Sequence, residues 1–467
     1  MKRFKYLLMG LAVAATFTNC KKDLDLQPTD TFSDANAFLS MEDVQTGVNG
    51  AYGRYGAYAN DMYVSALLSD EAKLGLDNAG QGALTYKYQF SSDPTTGADV
   101  ISAYGDYYYM IDQINRVLPF VNTVPGTPAQ EPRRAVLEGS LLALRGIAHF
   151  SLLEMYSKKY DANDPLGIPY MTESNPVGKP ARNTVAETVA AIENDLATAK
   201  ALFPETTAAN FSDTVMNKVN IAAYQARVAL YKRDYDAAIT YATEVINSGI
   251  KPLVNGLNFS GIWIDANNNE VLFRVRYATS AAIGNLWSTT GGQIYIAPSD
   301  KLVASYDADD IRKDAYIGTN ATGFNFVKKF SGSSRGGNVN DIKAIRTAEM
   351  YLIRAEAYAR KASPNLTAGA ADLNFLRANR IPSYTDQTFT SADALADAVM
   401  EERFKELAFE GFRFFDLKRN SLPVERLASD ANEAWQTLPA NSFRFTLPIP
   451  ASSLLVNPNM VQNEGYN

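Results

Sequence analysis

Most of the chain carries the spacing of amphipathic helices. Large apolar side chains recur every three or four residues, and this period predicts helices that bury one face. The segments that show it are 34–59, 100–121, 131–156, 184–202 and 220–247, the last of which contains two helices joined at 232–234. The pattern therefore predicts a mostly α-helical protein.

Two of the predicted helix pairs share a spacing of small and aromatic residues. The first set comprises Ala226, Ala229, Tyr235, Ala238, Ala242 and Val245, and the second comprises Ala355, Glu356, Tyr358, Ala371 and Leu373. This spacing is typical of tetratricopeptide repeats, in which small residues let paired helices approach closely. Two clear repeats are fewer than an open solenoid needs, so we expect them to pack against another region.

Two segments lack the helical period. Segment 73–97 is rich in glycine, polar and tyrosine residues, and the alternation around Lys87 suggests a short strand at 86–88. Segment 252–330 contains a strand predicted at 270–277. Aromatic rings beside carboxylates and amides are typical of sugar-binding surfaces, because rings stack on sugars and the polar groups bind hydroxyls. For any single aromatic residue, core packing is the alternative.

The densest block of charge and aromatic residues is 401–420, EERFKELAFEGFRFFDLKRN. Its apolar spacing predicts a helix that is capped by Thr390 with Asp393 and ends at Gly411. The carboxylates Glu406, Glu410 and Asp416 are candidate acid/base groups. We favour buried carboxylates that pair locally, because buried charges are kept mainly when they are paired.

Composition restricts the chemistry further. The 467 residues suggest two or more structural units. The net charge of −7 becomes −10 if residues 1–19 are removed, because three of the 44 basic residues leave and 51 acidic residues stay. This acidic balance argues against a nucleic-acid partner. The only histidine, His149, lies mid-helix, so neither a His-paired zinc site nor a Ser–His–Asp triad is expected, and we expect no metal, cofactor or enzymatic activity.

The N-terminus has the features of a lipoprotein signal. Three basic residues among the first five precede an apolar run that is too short to span a bilayer. Cys20, the only cysteine, follows this run directly. We therefore predict a signal peptide at 1–19, lipidation at Cys20 and a polar tether at 20–33.

Four motifs in order resemble the SusD/RagB-like family of outer-membrane nutrient-binding lipoproteins. Residues 406–417, ELAFEGFRFFDL, are close to the family block ELAFEGHRWFDLRR, with Phe412 in place of the frequent His and Phe414 in place of Trp. The tail contains LPIP at 447–450, NP at 457–458 and QNEGY at 462–466, which resemble PIP, NP and QNPGY. The segments LRG at 144–146 and RAEA at 354–357 also match family motifs.

The resemblance implies a right-handed bundle of four tetratricopeptide-like helix pairs with an irregular, loop-rich and partly β face that binds the ligand. It also implies a lipid-anchored protein on the exterior of the cell outer membrane. Such a protein captures oligosaccharide and delivers it to a SusC-like TonB-dependent transporter. Lys21, Lys22 and Asp23 resemble the charged signal that sends such lipoproteins to the surface. A peptide-binding importer subunit is the alternative, and a lipid-anchored glycosidase is a further one.

Carried onto this chain, the family's ligand contacts fall at 69–88 and 263–295. The candidate ligand-binding residues are Asp70, Asp77, Asn78, Gln81, Tyr86, Tyr88, Trp287 and Tyr295. The first loop lacks the tryptophans of starch-binding members, which argues against starch. After the signal peptide and tether we expect an N-terminal helical region at 34–250, an irregular ligand-binding region at 251–340 and a C-terminal region at 341–467.

Overall fold

The computed structural model describes residues 37–466. The predicted signal peptide 1–19, the candidate lipidation site Cys20 and the tether 20–33 lie outside the described residues. Helices make up 52% of the structure and strands 7%. These proportions confirm the predicted mostly α class with a small β component.

Eight helices form the N-terminal half of the described chain. They are α1 (Met41–Arg54), α2 (Tyr58–Leu68), α3 (Ala83–Tyr86), α4 (Pro94–Val121), α5 (Glu131–Tyr156), α6 (Val185–Leu202), α7 (Lys218–Lys232) and α8 (Tyr235–Ser248). Short polar side chains fix where several of them begin. Ser40 and Asp43 exchange hydrogen bonds at the start of α1, and Thr184 and Glu187 do so at the start of α6. Both pairs are capping boxes, which satisfy backbone N–H groups that the helix leaves free.

The C-terminal half contributes eight more helices, several of them short. They are α9 (Gly256–Trp263), α10 (Asp300–Ser305), α11 (Ile311–Tyr316), α12 (Thr347–Arg360), α13 (Leu366–Ala378), α14 (Ala392–Glu406), α15 (Arg413–Asn420) and α16 (Ala451–Val456). Helices α12 and α13 form the second predicted repeat. Gly369 of α13 lies so close to α12 that an added Cβ would come within 3.0 Å of the Ala355 carbonyl oxygen. The small-residue spacing therefore reflects a close helix approach.

The long helices pack as four consecutive pairs. The pairs are α1 with α4, α5 with α6, α7 with α8, and α12 with α13. Each pair contacts the next through α4–α5, α6–α7 and α8–α12. Among the described residues one helix, Pro128–Tyr156, is long and apolar enough to cross a membrane, but 83% of its apolar window is buried inside the protein. That burial fits a core helix of the bundle.

Within residues 37–466, ten short strands form five antiparallel two-stranded sheets. The pairs are β1 (Ala72–Leu74) with β3 (Ile296–Pro298), β2 (Val271–Val275) with β8 (Ile342–Arg346), β4 (Ile317–Thr319) with β5 (Asn325–Val327), β6 (Gly332–Ser333) with β7 (Gly336–Gly337), and β9 (Val424–Glu425) with β10 (Thr437–Leu438). The strand predicted at 270–277 is β2. The strand predicted at 86–88 is wrong, because Tyr86 ends α3 and Tyr88 has a φ of 57°.

The block 401–420 differs from its sequence prediction at both ends of the helix. Ser391, not Thr390, caps α14 by accepting a hydrogen bond from the Ala394 N–H at 3.1 Å. The helix ends at Glu406, before Gly411, and a turn with positive φ at Phe409 (63°) and Gly411 (92°) follows. The chain then begins the separate helix α15. The motif is thus a helix–turn–helix corner.

Three carboxylates of this block, Glu402, Glu406 and Glu410, are buried in an ion-pair cluster, whereas Asp416 pairs nearby with Arg403 and Arg419. The cluster comprises Arg312, Lys329, Arg346, Arg377 and Arg380 with Glu270, Asp310, Glu402, Glu406 and Glu410, all of them buried. Five basic groups therefore face five acidic groups. The expectation of local pairing is wrong for Glu406, whose partners Arg346 and Arg312 are 60 and 94 residues away in sequence. The central ion-pair cluster joins α14 to the irregular region.

Candidate functional site

The structure brings together the two irregular segments. Strand β1 pairs with β3, so that Lys73 lies opposite Ala297 and Leu74 opposite Ile296. The pairing continues past β1, where the Gly75 N–H donates to the Tyr295 carbonyl oxygen at 2.7 Å. A Cβ at Gly75 would lie 2.2 Å from the Ile294 carbonyl oxygen, so glycine is required there. The segments 73–97 and 263–295 therefore meet at one face.

Four of the predicted ligand-binding residues lie together at this junction. The Asp77 carboxylate accepts from the Ile294 N–H at 2.8 Å, and the Asn78 side-chain amide donates to the Tyr295 carbonyl at 2.9 Å. The same amide donates to the Gln81 carbonyl at 2.7 Å. Asp77 and Gln81 are exposed, and Asn78 and Tyr295 are half-buried. Their side chains fix the loop and still reach its surface.

The other four predicted ligand-binding residues are buried. Trp287 has no exposed surface and packs against Phe330 and Phe409. Tyr86 and Tyr88 turn their hydroxyls inward and donate to the carbonyl oxygens of Asp430 (2.7 Å) and Leu68 (3.2 Å). In these positions the three rings offer no face to a ligand, and we omit them from the candidate site.

Asp70 is buried through an ion pair instead of facing a ligand. The Arg413 guanidinium donates to both of its carboxylate oxygens, at 2.7 and 2.9 Å, and Lys301 adds a contact at 2.7 Å. Burial alone would raise the pKa of Asp70, but these two cations hold it below the usual value. The neighbouring Glu71 forms no ion pair with any residue that the structure describes, and burial raises its pKa to about 8. Asp70 and Glu71 therefore support the fold and are not accessible to a ligand.

A cleft of about 430 Å³ opens beside the β1–β3 pair. Its walls come from β1, from the tip of the β4–β5 hairpin and from residues 429–430. Phe324, with 47% of its surface exposed, and Leu76 supply apolar surface. Lys73 and Asp300 supply polar groups next to them. The size is within the range of small-ligand pockets.

The cleft is locally acidic. The Lys73 ammonium lies 2.5 Å from an Asp300 oxygen and 3.6 Å from an Asp430 oxygen. Partial burial alone would raise the pKa of Asp300, but its hydrogen bonds to Lys73 and Ser429 lower it. One lysine therefore faces two carboxylates. Such a wall favours hydroxyl-rich or cationic ligands over anions.

The turn of the β4–β5 hairpin holds Phe324 at the cleft. The Asn320 side chain accepts hydrogen bonds from the N–H groups of Thr322 (3.0 Å) and Phe324 (2.9 Å). Gly323 has a φ of 86°, a conformation that glycine adopts without strain. Phe324 was not among the residues predicted from the sequence. The polar turn 320–323 before an aromatic residue was the available signal.

Sequence reasoning also missed Trp435. Among the described tryptophans, Trp435 alone is not fully buried, and the Lys87 ammonium lies 5.3 Å from its ring centre. It belongs to the same loop as Ser429 and Asp430 of the cleft wall. Trp435 lies in a polar run, Asn432–Gln436, but Trp287 also has polar neighbours in sequence, so the sequence alone does not separate the two. The exposed Phe324 and the half-buried Trp435 are therefore aromatic candidates on this face.

Arg426 ties the two sides of this face together. It is buried and donates hydrogen bonds to four backbone carbonyl oxygens, those of Leu67 (2.7 Å), Ser69 (2.9 Å), Tyr86 (2.7 Å) and Trp435 (3.0 Å). Its guanidinium also lies 3.8 Å from the ring centre of Tyr86. Segments near the two ends of the chain are thus joined through one side chain.

The single histidine is part of the core. His149 Nε2 accepts from the Met171 N–H at 3.0 Å, which leaves Nδ1 to donate to the Arg145 carbonyl at 2.8 Å. The ring stacks on Tyr170 at 3.9 Å, and burial lowers the pKa of His149 to about 3. Both ring nitrogens are used, so the imidazole is neutral and structural.

Two family models match most of the chain. The model described as the SusD family matches residues 276–466, and the model described as starch-binding and associating with the outer membrane matches residues 20–230. A SusD-like protein P2 from Formosa agariphila is 24% identical over 99% of this chain and all of that protein.

Solved structures share the fold. A putative sugar-binding protein from Bacteroides vulgatus superposes with a TM-score of 0.81 at 24% identity, over 92% of this chain and all of that chain. A laminarin-binding SusD-like protein superposes with a TM-score of 0.71 at 19% identity, over the same shares of the two chains. At these identities the likeness concerns the architecture.

Proposed function

The chain belongs to the SusD/RagB-like family, and from this premise we propose that it captures oligosaccharide in the cleft beside β1 and β3. The observation that carries the proposal is the cleft itself. An exposed aromatic ring, Phe324, stands there beside the polar side chains of Lys73, Asp300 and Asn325. The laminarin-binding relative supports a carbohydrate ligand.

The physical fit is to a neutral sugar. Phe324 and Leu76 offer apolar surface to the C–H face of a pyranose, while carboxylate, amide and ammonium groups bind hydroxyls. About 430 Å³ accommodates one or two sugar rings, with the rest of the chain in solvent. Members of this family are binding proteins, and the candidate carboxylates Glu406, Glu410 and Asp416 are buried in ion pairs. The proposed role is therefore to bind oligosaccharide without cleaving or modifying it.

Replacing Phe324 with alanine should weaken oligosaccharide binding by about 1–3 kcal/mol, by analogy with bases that stack on aromatic side chains. Calorimetric titration of laminarin oligosaccharides, beside a panel of other neutral glycans, measures the change. Trp435→Ala tests the adjoining surface in the same way. Phe375→Ala removes an equally exposed ring on α13 and should leave the affinity unchanged.

Two results would count against the proposal. If Phe324→Ala binds every glycan as the wild type does, the cleft is not the site. If no glycan binds and a basic or neutral peptide does, the peptide-binding alternative replaces the sugar.

We further propose that the protein acts at the outer surface of the outer membrane. One family model describes its members as associating with the outer membrane. Lipidation at Cys20 would anchor the protein there, and the tether 20–33 would let it pass ligand to a SusC-like TonB-dependent transporter. The resemblance of 1–23 to a lipoprotein signal supports this arrangement.

Replacing Cys20 with alanine should release the protein from the membrane and leave its folding intact, since the acyl chains supply the anchorage. Fractionation followed by circular dichroism of the released protein checks both points. A Cys20→Ala protein that still sediments with outer membranes at high salt would show that the anchor lies elsewhere. Cys20→Ser serves as a second thiol-free variant with a closer side-chain shape.

A further inference from the structure

A second cavity, of about 400 Å³, lies at the C-terminal end of α5. It is bounded by the residues that follow α5, by α15 and by the C-terminal segment 440–446. It shares no lining residue with the cleft. Three lysines line it, Lys158, Lys159 and Lys418. We call it the lysine pocket.

Lys418 is the one buried lysine among the three that line the pocket. Its ammonium donates to the backbone carbonyl oxygens of Glu154 and Ser157, both at 2.5 Å. An ammonium carries three donors, and among the described residues the third has no partner. Among the described residues no carboxylate forms an ion pair with this ammonium, and burial raises the pKa of the neighbouring Glu154 to about 8. Burial also lowers the pKa of Lys418 to about 7, which an anion in the pocket would reverse.

The two exposed lysines at the rim of the pocket, Lys158 and Lys159, add positive charge that is only weakly compensated. Lys158 pairs with Glu464 at 3.1 Å, but both side chains are more than half exposed, and such pairs are weak. The Lys159 ammonium donates to the Ser421 hydroxyl at 2.5 Å, which leaves its charge uncompensated. Three lysines against one carboxylate, Glu464, line the pocket, so its lining has an excess of basic groups in a protein whose net charge is −7.

The remaining walls are those of a sugar site. Ser442, Thr446 and Asn441 supply hydroxyl and amide groups. Phe443 is 38% exposed and is held from behind by Tyr466, whose ring centre is 5.1 Å away at an angle of 80°. A ring face, hydroxyl partners and a buried cation therefore occur in one cavity of sugar size.

We propose that the lysine pocket binds an anionic sugar residue, one that carries a carboxylate or a sulfate. The anion would contact Lys418 and Lys159, and the sugar ring would lie against Phe443. This site is separate from the cleft and does not depend on the function proposed for it. A charged polysaccharide could be held here while neutral sugars occupy the cleft.

The test uses the detergent-solubilised full chain and three probes: trigalacturonate, its fully methyl-esterified form and inorganic sulfate. Trigalacturonate should bind, and its neutral ester should bind at least tenfold more weakly. The exposed double variant Lys158→Gln/Lys159→Gln should lose about tenfold in affinity for trigalacturonate, because two favourable charges are removed. Lys179→Gln/Lys313→Gln changes the net charge equally outside the pocket and should bind as the wild type does.

Two further variants keep the test independent of folding and of the cleft. Phe443→Ala should weaken trigalacturonate binding, whereas Phe324→Ala should not. Equal affinity for the acid and its ester, or unchanged affinity in the rim double variant, would overturn the proposal. Sulfate binding as tight as that of trigalacturonate would overturn the assignment to a sugar. Failure of neutral glycans to bind would bear on the cleft alone.

Discussion

Replacing Glu406 with glutamine is expected to lower the free energy of unfolding by about 3–5 kcal/mol, the cost of breaking a buried ion pair from one side. Glu406 is fully buried, and its carboxylate accepts from Arg346 (2.9 Å), Arg380 (2.9 Å) and Arg312 (3.2 Å). The neutral amide would leave the central ion-pair cluster with one uncompensated positive charge.

Urea unfolding of the variant measures this effect, with expression yield as a coarse check. Glu401→Gln removes an exposed carboxylate one helical turn earlier and should change stability by less than about 0.5 kcal/mol. The double variant Arg380→Gln/Glu406→Gln restores charge balance, so its loss should be smaller than the sum of the two single losses. Additive losses would mean that the two groups do not interact.

Glu406 also determines how one contribution to the stability of the fold changes with pH. Burial alone would raise the pKa of Glu406, but Arg380, Arg346 and Arg312 hold the pKa well below its ordinary value. A carboxyl group with a lowered pKa stabilises the fold above its ordinary pKa and loses that contribution as the pH falls. In Glu406→Gln the acid-side decline in stability should therefore be shallower than in the wild type.

The sequence predicted the helices well because their spacing is a local property. The block 401–420 shows where local reasoning stops. The apolar period located α14, yet the partners of Glu406 come from β8, from α11 and from the turn that follows α13, all distant in sequence. Glycine at 411 was a correct signal for positive φ, but the turn begins earlier, because Phe409 also adopts positive φ.

The structure brings the two predicted segments together but buries half of the residues predicted within them. The two irregular segments meet because β1 pairs with β3, and Asp77, Asn78, Gln81 and Tyr295 lie at that junction. Which individual aromatic residues are buried could not be predicted from the sequence. An isolated tryptophan suits a core and a sugar platform equally, and only the packing separates the buried Trp287 from the half-buried Trp435.

Replacing Arg426 with alanine should destabilise the protein by about 3–5 kcal/mol and loosen the proposed ligand-binding face, because several buried carbonyl groups would lose their donor at once. The four carbonyl acceptors belong to segments 67–86 and 435, so the loss spans both sides of the face. The protein should still fold, because the helix pairs do not depend on Arg426, but its affinity for oligosaccharide should fall with the loss of order.

Hydrogen exchange distinguishes this local loosening from global unfolding. In Arg426→Ala, amides of 67–88 and 424–438 should exchange faster than those of α7 and α8. Arg426→Lys keeps the charge but has fewer donors in a less rigid arrangement, so it should recover only part of the stability. Arg444→Ala, which removes the donor of one backbone carbonyl, that of Phe90, should cost less, about 1 kcal/mol for that hydrogen bond. If exchange rises equally throughout the protein, Arg426 supports the whole fold and not this face in particular.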